Sequence, residues 1–169
     1  MPETRKRHFR DACGLFATGV TVITTRHEGD VHGMTANAFM SISLDPPLVA
    51  ISLSEKAKML SKLRESGHFA VSVLQGEAEE TAWHFAGRPM DDTANVFCEL
   101  AGMPVIRDAV AVFSADVEQE IPAGDHSIVI GRVRALRKSA GRAPLLFHGG
   151  RFGTPGCEDG ACEEEEVLF

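Results

Sequence analysis

A mainly β fold is what this sequence predicts: an antiparallel, Greek-key barrel with helices covering its ends. Three observations carry that expectation. β-Branched stretches such as VTVITTR (20–26) and FAVSVL (69–74) run through the chain. From Phe113 to Ile121 the odd positions Phe113, Ala115, Val117 and Ile121 are apolar while Ser114, Asp116, Glu118 and Glu120 are polar, the period-two pattern of a half-solvated strand that only Gln119 interrupts. Neighbouring strands are joined by tight turns, with too few long crossover helices for a parallel doubly wound sheet.

Taken in order, the elements begin with a short helix. After Thr4, an N-cap candidate, Phe9, Ala12, Cys13 and Phe16 recur at spacings of three and four, which predicts an amphipathic helix ending near Gly19 and packed on another surface. Val20 to Arg26 is then a strand, Glu28-Gly29-Asp30 a turn, and Val31 onward extended chain, together a hairpin. Leu48 to Leu53 reads as a buried strand. Lys56 to Glu65 carries Met59, Leu60 and Leu63 at helical spacing, Phe69 to Leu74 is a further strand, and Glu77 to Phe85 a helix. The alternating strand through Ile121 turns at Pro122-Ala123-Gly124-Asp125 into a second long strand, His126 to Leu136, and Pro144 to His148 is a last short one.

Composition bounds the function. A chain of 169 residues with 44% hydrophobic content suits one domain with a real core. The formal charge of -7 belongs mostly to residues 157–169, where Glu158, Asp159, Glu163, Glu164, Glu165 and Glu166 stand without Lys or Arg, so the folded part is nearly neutral. Nothing resembles a basic nucleic-acid surface. No uninterrupted apolar run approaches the ~20 residues needed to span a bilayer. Four cysteines, Cys13, Cys98, Cys157 and Cys162, form no regular framework, and the chain opens on PETRKRHFRD without an apolar signal, as expected of a reduced cytoplasmic protein. Residues 154–169 are expected to be a disordered acidic tail, and two thiols at the spacing of Cys157 and Cys162 fall short of a four-ligand metal site.

Catalytic constellations are largely missing. There is no GxGxxG opening a helix after a strand, no GxxxxGK[ST] loop, no GxSxG elbow and no HExxH pair among the seven histidines. No metal site is expected, and chemistry must come from something bound. The segment GMTANAFMSISLDPPLVAISL (33–53) suits that role: Thr35, Ala36, Asn37 and Ala38 are small or polar, so a flat heterocycle could approach the backbone and take its N–H groups as donors. A plain strand-turn-strand corner is the other reading of the same residues.

In sequence order, FATGVTVITT (16–25), GMTANAF (33–39), SISLDPPLVAISL (41–53), FAVSVL (69–74), GDH (124–126), IGRV (130–133) and PLLFHGGRFG (144–153) resemble the short-chain flavin reductases, the small components of two-component flavin monooxygenases. The resemblance runs from about Phe9 to Gly153, which defines a domain of residues 1–153. It implies a split β-barrel of the FMN-binding type, a homodimer with its cleft at the subunit interface, and transfer of hydride from NADH or NADPH to FMN or FAD. It also implies release of the reduced flavin to a partner oxygenase.

By the same resemblance, Thr35, Ala36, Asn37 and Ala38 form the flavin-contacting turn, although the family commonly has Ser in the position of Ala38. Ser52, Leu53 and Ser54 lie along the flavin, and Lys56 and Lys58 fall where its phosphate binds, in place of a Ser/Thr-rich run. A solvated first helical turn is the alternative for the two lysines. Phe85 and Ala86 border the flavin, or Phe85 is a core residue. His126 of the GDH motif lies beside the nicotinamide and positions it, or is a turn histidine bonded to nearby backbone. Phe152, often Tyr in relatives, stacks on the nicotinamide or closes the dimer. Two other functions stay open: a non-catalytic flavin-binding or carrier protein on the same barrel, and an interaction protein whose barrel displays the acidic tail.

Overall fold

Runs of β-branched residues buried on both sides build the middle of the sheet. In a computed structural model, which describes residues 2–91 and 95–155, Thr21–His27 (β2) and His68–Val73 (β6) pair antiparallel, and their side chains alternate between two apolar clusters. Ile23, Phe69 and Val71 enter one cluster, and Val22 and Ala70 enter the other. That two-sided burial is why these stretches read as continuous apolar runs rather than alternating ones.

Around this pair the order is β3-β2-β6-β9-β10-β5-β4, with β3 at Asp30–Ala36, β4 at Phe39–Leu44, β5 at Pro47–Ser54, β9 at Ala111–Ala123 and β10 at His126–Lys138. Every strand pairing among the described residues is antiparallel. The sheet curls without closing: its edge strands β3 and β4 are consecutive in the chain and are joined only by residues 37–38, so the barrel is split at that connection. Helix α2 (Lys58–Ser66) buries Met59, Leu60 and Leu63 in the first cluster and ends at Gly67 in the left-handed conformation. Helix α3 (Glu79–Phe85) buries Ala82 in the second cluster, beside the strands β7 (Phe97–Leu100) and β8 (Met103–Ile106). A small sheet of β1 (Thr18–Gly19), β11 (Leu146–His148) and β12 (Arg151–Gly153) completes the fold.

Three expectations need correction. The first helix, α1, spans Glu3–Cys13, with Pro2 at its N-cap and Thr4 inside it, and none of its residues is buried. Among the described residues its apolar side is left uncovered: Phe9, and Phe16 just beyond the helix, remain 67% and 76% exposed. The hairpin β7–β8 was absent from the expected elements. Finally, the alternation in β9 fails at Ser114, which is 1% exposed although expected on the solvated face, and again beyond Val117. There the register with β10 steps from Gly131↔Val117 to Ile130↔Gln119, a bulge that inserts Glu118 and inverts the faces beyond it. Ile121 therefore turns to solvent, and Glu120, expected outside, lies opposite Val129 on the core-facing side. Cys157, Cys162 and most of the expected disordered tail, residues 156–169, lie outside the described residues.

Candidate active site

Where the barrel is split, the chain leaves backbone donors unpaired. The carbonyl of Asn37 accepts from Phe39 N–H (3.1 Å) and that of Ala38 from Ser52 N–H (3.2 Å), yet the N–H groups of Asn37 and Ala38 donate to no carbonyl among the described residues. Both residues are exposed. The turn is held from below by two hydroxyls: Thr21 Oγ1 donates to Ala36 O and Thr35 Oγ1 to Ala82 O, each at 2.7 Å. Thr35 thus ties the turn to α3 rather than offering its proton to a ligand. Its neighbour Gly33 is required by packing, because a Cβ there would lie 2.5 Å from Phe85 Cε1.

The Ser52 N–H bond sets this turn against β5, and β5 pairs with β10. Ser52 stands opposite Ile128, and Ser54 opposite His126. Cross-strand register therefore brings the turn at 35–38, the end of β5 and the GDH histidine onto one continuous surface. Ser52 and Ser54 are half-buried, whereas Leu53 is 1% exposed and points into the core, so only its backbone can meet a ligand. Past β5, Ser54 Oγ accepts from Lys56 N–H (3.3 Å), and α2 starts at Lys58 without a side-chain cap. Its first N–H groups are available to an anion, with Lys56 and Lys58 exposed beside them. Burial, reinforced by the charges of Lys62 and Lys58, holds His32 below its usual pKa, so α2 begins in a cationic neighbourhood.

His126 is 45% exposed in its side chain, and its Nδ1 lies 2.8 Å from Asp125 Oδ1. An ionised carboxylate can only accept, so Nδ1 carries the proton and, in the neutral ring, Nε2 is left as an acceptor. The hydrogen bond from His126 holds the Asp125 carboxyl below the ordinary range, and Lys56 adds to the effect. Phe85 packs its ring on Gly33, 5.7 Å from the ring of Phe97, while Ala86 is the exposed C-cap of α3. Phe152 lies in an aromatic group with Trp83 and Phe147, both at 5.3 Å, and meets α3 through Trp83.

One set of residues escaped the sequence reading. Ser127, buried and next to His126, places its Oγ 2.5 Å from Glu55 Oε1 and 2.6 Å from Glu120 Oε1, and Arg64 bonds both carboxylates. No local signal announces this group, because the bulge in β9 decides which way Glu120 faces. A separate cavity of about 270 Å³, lined by Gln75, Thr81, Met90 and Asp108 among others, shares none of the residues above.

A flat ring with a polar edge suits the unpaired donors at Asn37 and Ala38, and the comparisons with known proteins point to the same ligand. Residues 13–156 match the flavin reductase like domain. The chain belongs to the flavin reductase family. Within that family it is 44% identical over 154 residues to an NADH-dependent flavin reductase of a Rhodococcus species, covering 89% of this chain and 87% of the relative. It is 41% identical to the reductase component of 4-hydroxyphenylacetate 3-monooxygenase of Thermus thermophilus, over 84% of this chain and 91% of that one. Among solved structures, the flavin reductase PheA2 superposes with a TM-score of 0.85 at 47% identity, covering 93% of this chain and all of PheA2.

Proposed function

We propose that hydride passes from a reduced nicotinamide to FMN or FAD on the surface formed by residues 35–38, the end of β5 and His126. The chain acts as an NAD(P)H-dependent flavin oxidoreductase and hands the reduced flavin to a separate oxygenase component. Family membership supports the reaction class. The pairing of His126 with Ser54, beside the turn whose N–H groups are unpaired, is the observation that carries the site.

Bound flavin supplies the hydride acceptor. The protein's part is placement and electrostatics: N–H donors at Asn37 and Ala38, with the Asn37 amide, stabilise negative charge developing at the ring's polar edge without a strong base. Ser52, Ser54 and the backbone of Leu53 line the ring's length, Lys56 and Lys58 with the first turn of α2 hold its phosphate, and Phe85 and Ala86 bound it on the α3 side. In the neutral ring, with Nδ1–H directed to Asp125, His126 Nε2 takes a hydrogen bond from the nicotinamide carboxamide and orients the donor carbon. Phe152 serves this surface indirectly, by seating Trp83 of α3.

The catalytic unit is residues 1–153, and it works as a homodimer in the cytoplasm. Support for pairing comes from apolar surface left bare in the single chain: Phe9, Leu15 and Phe16 at one end, and on the edge strand β4 Met40, Ile42 and Leu44, the last 93% exposed. Among the described residues no helix is long and apolar enough to cross a membrane, and Cys13 and Cys98 are free thiols.

An anaerobic assay of His126→Ala with NADH and NADPH, comparing FMN, FAD and riboflavin, tests the site. KM for the nicotinamide is expected to rise about tenfold or more, the equivalent of losing one hydrogen bond of ~1.5 kcal/mol, while flavin affinity stays nearly constant. Unchanged kcat and KM for NADH would remove His126 from the site.

A further inference from the structure

We propose that Arg64, Glu55, Glu120 and Ser127 form a brace that positions His126 for hydride transfer by locking the tip of the β9–β10 hairpin against the β5–α2 turn. The four residues come from four elements: Glu55 follows β5, Arg64 lies on α2, Glu120 on β9 and Ser127 on β10. Their contacts converge on one guanidinium and one hydroxyl. Arg64 donates from Nε to Glu120 Oε2 (3.0 Å) and from Nη2 to Glu120 Oε1 (2.5 Å) and Glu55 Oε2 (3.1 Å). Ser127 Oγ lies within 2.6 Å of both carboxylates, so its single proton serves one at a time while the guanidinium of Arg64 offsets one of their two negative charges. A backbone bond from Glu55 N–H to Asp125 O (3.0 Å) runs alongside.

An isolated exposed ion pair does little for stability, and this group is half-exposed at Arg64. Its placement gives it another use. Ser127 is fully buried and directly follows His126, while Glu55 separates Ser54 from Lys56, so the brace spans the seam between the flavin-facing residues and the histidine. The bulge at Glu118 is what turns Glu120 inward to close it. No contact with flavin or nicotinamide is assigned to Glu55, Arg64, Glu120 or Ser127: their proposed role runs through His126. Hydride transfer is sensitive to such placement, since a shift of about 1 Å can lower a rate by about a hundredfold.

This inference rests on His126 being the residue that places the nicotinamide, and the test separates the two. Arg64→Met and His126→Ala are compared with the wild type in two measurements. In the flavin-free protein, hydrogen–deuterium exchange of residues 119–128 in Arg64→Met is expected to rise about tenfold, with β2 unchanged. In anaerobic stopped flow at saturating NADH, flavin reduction by Arg64→Met is expected to slow about tenfold, with a larger primary isotope effect from C4-deuterated NADH and flavin Kd within about twofold of the wild type. Misfolding would lower the amplitude without raising the isotope effect, and Glu120→Gln, which keeps the side-chain volume, replaces Arg64→Met if the latter does not fold. Unchanged exchange in the hairpin overturns the brace. So does a normal reduction rate in Arg64→Met beside a slow His126→Ala, whereas an unimpaired His126→Ala overturns the placement of the nicotinamide and the brace's purpose with it.

Discussion

Replacing Gly33 with alanine should destabilise the protein through one identifiable collision. The added Cβ would stand 2.5 Å from Cε1 and 2.6 Å from Cδ1 of Phe85, whereas carbon atoms in contact prefer about 3.5–4.0 Å, so the ring must retreat by about 1 Å. It has little room, being flanked by Phe97 with ring centroids 5.7 Å apart and by His84 at 4.6 Å. Overpacking of this kind costs about 1–3 kcal/mol, which lowers Tm by about 2–4 °C per kcal/mol in a chain of this size. Urea unfolding of Gly33→Ala in the wild-type and Phe85→Ala backgrounds isolates the cause. With the ring gone, the same substitution should become neutral or stabilising by about 0.4–1 kcal/mol, because alanine restricts the unfolded chain more than glycine does. Equal destabilisation in both backgrounds would refute the steric account and leave the glycine of GMTANAF without a packing reason.

Two further outcomes are expected. Hydrogen bonds from Arg64 and then Ser127 pull Glu120 from 4.5 down to about 2, and bonds from Ser127 and then Arg64 lower Glu55; a carboxyl depressed in the fold contributes stability that is full above the unfolded value near 4.5 and lost as pH falls toward 2. Urea midpoints measured from pH 5 to pH 2 should therefore fall less steeply in Glu120→Gln than in the wild type, and parallel curves would count against the linkage. Ile42→Glu puts a charge in the exposed row of β4 and should shift a dimer to monomers in sedimentation velocity with loss of turnover. A fully active monomer would show that the site needs no partner subunit, and an undisturbed dimer would place the subunit contact elsewhere.

Local patterns made much of the fold legible. VTVITT and FAVSV announced β2 and β6 through their β-branched content, and Met59, Leu60 and Leu63 announced α2 through their spacing. The β7–β8 hairpin stayed hidden because its turn has Ala101 at φ 48° ahead of Gly102 at φ 78°; a primed turn usually shows Asn or Asp in that first position, and Pro104 further masks the strand that follows. Helix α1 was legible as a helix, but amphipathic spacing cannot say whether the surface that covers Phe9 and Phe16 belongs to the same chain. For the site, Thr35 to Ala38 and the GDH histidine were visible as motifs, while the inward face of Leu53 and the aromatic setting of Phe152 were not.

By itself the sequence determined most of the elements, their order and the small-residue turn at Asn37 and Ala38, because helical and strand periodicities repeat within a few residues and act locally. Tertiary structure alone decided that this turn bridges the open edge of the barrel with its donors unpaired, that His126 stands across from Ser54, and that Glu120 meets Arg64 and Ser127. Those facts depend on strand register, and one inserted residue at Glu118 reverses every side chain beyond it. Register is fixed between strands distant in sequence, by hydrogen bonds and burial that no short window of residues contains.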